Sequence, residues 1–309
     1  MSTNKVVATK ENTAIVMAEE SGYSHNGYVK AGYKVFCAYN HVGIILRCVR
    51  ELCFKICFLP KTVWYDKHII DANPEFIIIK DAIITRAYLL WLQKRFPQAQ
   101  INFMYENMIG KAKHIRPSDI PSNIRIWTYD KYDSEKYGIR LKHTMQYFSE
   151  YVLEKGEIEY DVLFVGRDKG RGDWLHRFDG FLQEKGFRTK FIITKDRRYS
   201  KNKTYYQKEV PYETIAKWIA HTRCIINVGM ENQQGITVRD LECLFNRIKM
   251  ITTNEHIKDV YFYKPNNIFV LNSDNWEAVP AFLESAYDDS VIINDSIHSV
   301  STMIEEMTC

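Results

Sequence analysis

Short apolar runs alternate along this chain with longer segments of helical periodicity. In the first half Ile15–Ala18, Lys34–Tyr39, Phe76–Ile79, Ile101–Tyr105 and Ile124–Trp127 read as strands, and Thr85–Arg95 reads as a helix closed by Pro97. In the second half Tyr160–Gly166, Lys190–Thr194, Cys224–Val228, Met250–Thr253 and Asn267–Leu271 read as strands. Between and after them, Trp174–Lys185, Tyr212–His221 and Asn275–Ala286 read as helices, the middle one turning Ile215, Trp218 and Ile219 to one side. Strands alternating with helices predict parallel sheets covered on both faces, whose ligands bind beyond the carboxyl ends of the strands. With 309 residues, 46% of them hydrophobic, the chain can bury two modest cores. The polar stretch Glu154–Glu157 puts the boundary there, giving domains 1–155 and 156–309, with the last helix free to pack back on the first domain.

Two turns at strand ends carry chemistry. Tyr160-Asp161-Val162-Leu163-Phe164-Val165-Gly166 runs straight into Arg167-Asp168-Lys169-Gly170-Arg171. A guanidinium binds phosphate through two parallel hydrogen bonds, and an ammonium adds a point charge. The plain alternative is a solvated charged turn. Farther on, Gln233-Gln234-Gly235-Ile236-Thr237-Val238-Arg239-Asp240-Leu241-Glu242 reads as a turn and a helix opening near Thr237. Free N–H groups and the positive dipole end at such a start attract phosphate. The plain alternative here is an ordinary strand–turn–helix unit with a solvated Glu.

Taken in order, these two elements resemble the donor-binding domain of GT-B glycosyltransferases over roughly residues 158–290. The strand, Gly, Arg and Lys-Gly sequence is similar to the opening of that domain, with Arg167 and Lys169 closer together than usual. Gln234 and Glu242 are similar to its paired acids with seven residues between them, with Gln in the first place. The resemblance implies an α/β, GT-B-like architecture: two Rossmann-type domains with parallel sheets facing a cleft. It implies donor binding by Gly166, Arg167, Lys169, Arg171, Gln234, Gly235, Thr237, Arg239 and Glu242. The activity implied is transfer of a sugar from a nucleotide-activated donor to a glycan or lipid-linked acceptor in bacterial surface-polysaccharide synthesis, lipopolysaccharide or capsule. The nucleotide-sugar is then a co-substrate and no cofactor is called for. Two other classes stay open: an epimerase-like enzyme of the same architecture, and a non-catalytic protein that binds nucleotide or nucleic acid.

The N-terminal half offers candidates for the catalytic base. Three strands finish in an acid, Asp81, Glu106 and Asp130, and a doubly wound fold turns such ends to one crevice. Acids also close strands simply as turn formers. His25 lies in Ser21–Tyr28, which reads as a glycine-containing loop after the first strand, and an imidazole there can serve as base or as donor to the leaving phosphate.

Charge and cysteine usage narrow the setting. No Asp-x-Asp occurs and no histidines sit at helical ligand spacing beside a carboxylate, so no metal is expected. Seven cysteines without paired spacing suit a reducing, cytoplasmic compartment. The net charge of +4 is concentrated in Lys195, Arg197, Arg198, Lys201, Lys203 and Lys208, interleaved with Tyr199, Tyr205 and Tyr206. Such a loop suits phosphates and stacked bases, although nucleic acid is the less favoured partner. Ile44–Leu59 has helical amphipathicity and suits either a core helix or a contact with lipid headgroups at the inner face of the plasma membrane.

Overall fold

A computed structural model describes residues 6–17, 23–56, 60–81, 84–110, 115–142, 151–196, 200 and 203–309. The chain divides into two units, residues 1–144 with 296–309, and residues 145–295.

The first unit holds strands β1 (Thr13–Met17), β2 (Lys34–Cys37), β3 (Phe76–Lys80), β4 (Gln100–Tyr105), β5 (Arg125–Thr128) and β6 (Arg140–Leu141). They form one sheet in the order β2-β1-β3-β4-β5-β6, every neighbouring pair parallel. Its helices are α1 (Tyr23–Lys30), α2 (Ile44–Lys55), α3 (Ile69–Ala72), α4 (Arg86–Arg95) and α5 (Lys131–Tyr137), with α10 (Val300–Thr308) returning from the chain end. Gln100 Nε2 donates to the Met307 carbonyl at 3.2 Å, and Met303 and Met307 are fully buried, so α10 belongs to this core. Thr85 caps α4 by accepting from Tyr88 N, and Ser299 caps α10 by accepting from Thr302 N. Every residue of β3 is buried, as expected of a central parallel strand covered on both faces.

The second unit holds β7 (Tyr160–Arg167), β8 (Thr189–Thr194), β9 (Tyr206–Gln207), β10 (Thr222–Asn227), β11 (Lys249–Thr252) and β12 (Ile268–Val270). Helices α6 (Gly172–Glu184), α7 (Tyr212–Ala220), α8 (Val238–Phe245) and α9 (Val279–Glu284) accompany them. The sheet is again parallel, in the order β12-β11-β10-β7-β8-β9. The order reverses direction between β7 and β10, and crevices at such a switch point are where doubly wound sheets bind ligands. One side of its core packs Leu175, Phe178 and Leu182 of α6 on Val162 and Phe164 of β7, with Trp276 edge-on to Phe178 at 4.8 Å.

Three expectations need correction. Tyr23–Tyr28 is not loop but the start of α1; Ser21 and Gly22 lie outside the described residues. Gly27 and Tyr28 form the buried side of that helix, so tertiary packing outweighs the poor helix propensity of Ser, Asn and Gly. Asn275–Ala286 begins as a short 3-10 turn at Trp276–Ala278 before α9, because Pro280 belongs in a first helical turn and not in an interior. The core reading of Ile44–Leu59 also fails: α2 ends at Lys55 and holds no buried residue. Ala18, Glu150, Cys57, Leu59, Arg197, Arg198, Tyr199 and Lys201 lie outside the described residues.

Candidate functional site

The end of β7 and the turn after β10 meet at the switch point of the second unit. Gly166 is the penultimate residue of β7; a Cβ there would sit 3.2 Å from the Phe164 ring and 3.7 Å from Arg171 Nη2. The chain then makes a tight turn through Lys169 (φ 48°) and Gly170 (φ 86°) into α6. Asp168 organises that turn. Its carboxylate accepts from Gly170 N at 3.1 Å, Gly172 N at 2.7 Å, Ser200 Oγ at 2.9 Å and Tyr206 Oη at 2.5 Å. Desolvation pushes this carboxyl up, but the hydrogen bonds outweigh it and hold it below the ordinary carboxylate value. Asp168→Ala leaves four donors without their acceptor, and is expected to cost about 2–3 kcal/mol in urea melts. Arg167→Ala, by contrast, removes an exposed ion pair to Glu209 (3.0 Å), and is expected to change stability by less than about 1 kcal/mol.

Two guanidiniums converge at the same strand end. Arg171 lies over the Phe164 ring at 5.6 Å, and its Nε is buried without a hydrogen-bond acceptor. Desolvation, then the charge of Arg239, pushes Arg171 down to about 10, with Asp168 opposing, so it remains cationic at neutral pH. Arg239, on the first turn of α8, donates from Nη2 to the Val165 carbonyl at 3.1 Å and from Nη1 to Glu242 at 2.5 Å. Glu242 is 1% exposed, and its other oxygen accepts from Tyr212 Oη at 2.5 Å. Both Glu242 oxygens are therefore engaged within the protein. Burial raises its carboxyl pKa, with Arg239 and Tyr212 opposing. The carboxylate thus fixes where Arg239 points. Tyr212 stands edge-on to Tyr151 at 4.8 Å, which holds the donor of that hydrogen bond in place.

The start of α8 carries a capping box, braced from β10. Asp240 accepts from Thr237 N at 2.6 Å, from Thr237 Oγ1 at 2.8 Å and from Asn227 Nδ2 at 2.8 Å. Burial raises the Asp240 carboxyl, with these hydrogen bonds opposing. Gly235 is buried and Gln234 half-buried in the preceding turn, which Gln233 braces by accepting from Met230 N at 3.0 Å. Lys169 is exposed; its ammonium is lowered by desolvation and then by the like charges of Arg171 and Arg167. The structure thus brings together Gly166, Arg171, Arg239 and Glu242, sets Lys169 beside them, and turns Arg167 to Glu209. Asp168, Tyr212 and Asp240 are the supporting residues that the sequence did not single out.

In the first unit the switch point falls between β1 and β3. Asp81 directly follows β3, 7% exposed, its N–H donating to the Met104 carbonyl at 2.8 Å. Burial, then the neighbouring charge of Glu106, raises its carboxyl well above the ordinary value. Glu106 itself pairs with Lys80 Nζ at 2.8 Å. Lys80 is 1% exposed and lies 5.1 Å from the Tyr28 ring of α1. Desolvation would lower the Lys80 ammonium, but Glu106 and Tyr28 outweigh it and raise its pKa. Asp130 is fully buried and caps α5, accepting from Asp133 N at 3.2 Å. His25 sits half-buried on α1 with Nδ1 3.4 Å from Asn26 Oδ1. Asp81 and Glu106 are therefore neighbours, while Asp130 has a capping role. Lys80, and Lys142, a buried amine that desolvation lowers to about 8, complete this charged group without a clear sequence signal.

No protein-family model matches the chain, and no curated protein matches it. Among solved structures it is similar to a DNA-modifying β-glucosyltransferase studied with and without uridine diphosphoglucose: 13% identity, TM-score 0.50, covering 96% of this chain and 92% of that one. An α1,3-fucosyltransferase with GDP is also similar, at 10% identity and TM-score 0.41, covering 99% of this chain and 92% of that one. The likeness to the first, with two parallel six-stranded α/β units, gives this chain the GT-B type of fold.

Proposed function

We propose that the protein is a glycosyltransferase that takes a sugar from a nucleotide-activated donor and needs no metal. The carrying observation is the Arg171 Nε, buried without an acceptor beside Arg239 at the switch point of the second unit. Glu242 already pairs with Arg239, whereas the desolvated Arg171 beside it keeps an unmet Nε donor, and a diphosphate brings both an acceptor and the charge for it. As the glycosidic bond breaks, negative charge grows on the departing diphosphate, and fixed guanidiniums stabilise it most at that moment. Glu242 and Tyr212 act as positioning residues, because they hold Arg239 in place before substrate arrives. Asp81, raised and beside Glu106, takes the proton of the acceptor hydroxyl.

The acceptor in this reading is a glycan or lipid-linked sugar of a surface polysaccharide, met at the inner face of the plasma membrane. DNA is the second reading, favoured by the acceptor class of the β-glucosyltransferase neighbour. Thermal-shift measurements with UDP, GDP, CDP and CMP test the donor site. A nucleotide at about 100 times its dissociation constant should stabilise the fold by about 2.7 kcal/mol. Absence of any shift across the panel would overturn the donor reading. Transfer from the stabilising donor to lipid-linked glycans or to duplex DNA then decides the acceptor.

Metal independence has its own outcome. With Arg171 and Arg239 carrying the diphosphate charge, turnover in excess EDTA should match turnover in magnesium or manganese. Loss on chelation, restored by one divalent ion, would remove the guanidiniums from that role.

A further inference from the structure

Helix α2 is amphipathic but sits on the first unit the wrong way round. Ile45, Val49 and Leu52 fall at i, i+4 and i+7, the spacing of a buried stripe, yet all three are exposed, Ile45 at 77%. Ile44 and Leu46 extend the exposed apolar surface. The side that touches the protein is the opposite one. Phe54 packs 4.9 Å from the Tyr39 ring, and Arg50 lies 5.2 Å over that same ring while donating to the Asn40 carbonyl at 3.1 Å. A helix that presents its polar and aromatic side to the fold and its aliphatic side to solvent expects something to cover the latter.

We propose that α2 docks this protein on an anionic lipid bilayer, lying in the plane of the headgroups with its aliphatic stripe in the acyl boundary. The inference makes the lipid surface of the proposed function specific, and rests on that reading only for its biological setting. Charge selects the partner. Exposed Lys55 flanks the stripe, exposed Arg47 lies on the other side of the helix and Lys61 follows it, whereas Glu51 is the one acid of α2. An aliphatic stripe on a helix that carries more cations than acids matches anionic headgroups. A second copy of the chain would bring the same excess of positive charge against itself. A protein partner is less well matched, because the stripe carries no aromatic anchor of the kind that dominates protein interfaces.

Vesicle sedimentation of the full chain tests this without any sugar donor, so its result is separate from that of the donor assays. The protein should pellet with vesicles of phosphatidylcholine containing about 30% phosphatidylglycerol, more weakly with phosphatidylcholine alone, and less at high salt. Ile45→Ser with Leu52→Ser should reduce the bound fraction about tenfold while leaving the melting temperature unchanged, since both side chains are exposed. Arg47→Glu with Lys55→Glu should abolish the preference for anionic vesicles. Wild-type protein that stays in the supernatant, or an apolar double variant that pellets like wild type, would overturn the proposal. So would a concentration-dependent dimer that the apolar double variant dissociates in the absence of vesicle binding.

Discussion

Arg171→Ala is expected to weaken nucleoside-diphosphate affinity by about 1.5–3 kcal/mol, the range of a charge-assisted hydrogen bond. That is about ten- to a hundredfold in Kd by isothermal titration. The same substitution should leave the ligand-free protein no less stable. Arg171 is a desolvated cation next to Arg239, with an Nε that finds no acceptor, so removing it relieves repulsion and an unmet hydrogen bond. A purely structural arginine would behave in the opposite way, losing stability without touching nucleotide affinity. Arg171→Lys keeps the charge but not the planar fork, and should recover only part of the binding. Glu242→Gln reaches the ligand indirectly: it weakens the hold on Arg239, so affinity falls less than for Arg239→Ala. Nucleoside monophosphates should lose less than diphosphates in every case, because fewer phosphate charges depend on the pair. Equal Kd values for wild type and Arg171→Ala would exclude the cation pair from the donor site.

The frame of both sheets is legible in the sequence, because central parallel strands read as short apolar runs. β3, β4, β7 and β10 are all visible this way, as is the start of α8, where Thr237 and Asp240 form a capping box. The pairing of Arg171 with Arg239 is not legible. It depends on β10 lying beside β7 while β8 and β9 go to the other side, and strand order is a tertiary choice. Periodicity also identifies the two faces of α2 without saying which is inward. The usual inference, apolar side to the core, fails there because Arg50 and Phe54 find Tyr39 and the Asn40 carbonyl to rest on. The Lys80–Glu106 pair is hidden for a different reason. A lysine at a strand end looks like a solvated boundary, and only the covering by Tyr28 makes it a buried ion pair.

Asp81→Asn should lower kcat by about a hundredfold to ten-thousandfold while donor affinity stays within a factor of about two, the signature of a lost general base. The pH profile gives an independent reading. Only the carboxylate accepts a proton, and burial and Glu106 hold Asp81 protonated to a higher pH than an ordinary Asp. Wild-type turnover should therefore rise with pH through the raised Asp81 value and then level off; the residual activity of Asp81→Asn should lack that limb. Stability runs the other way. Because the folded state keeps this proton more tightly, the contribution is complete below the unfolded Asp value and is lost as pH rises through the folded one. Asp81→Asn should remove that part of the decline in stability with pH. Glu106→Gln removes the like charge and should move the activity limb to lower pH, but it also strips buried Lys80 of its counter-ion, at about 3–5 kcal/mol. The double variant Lys80→Met with Glu106→Gln avoids that orphaned charge, so its pH limb reports on Asp81 without the stability loss. An Asp81→Asn enzyme with wild-type kcat would pass the role of base to Glu106 or His25, and an unshifted limb in the double variant would mean that Glu106 does not set the Asp81 pKa.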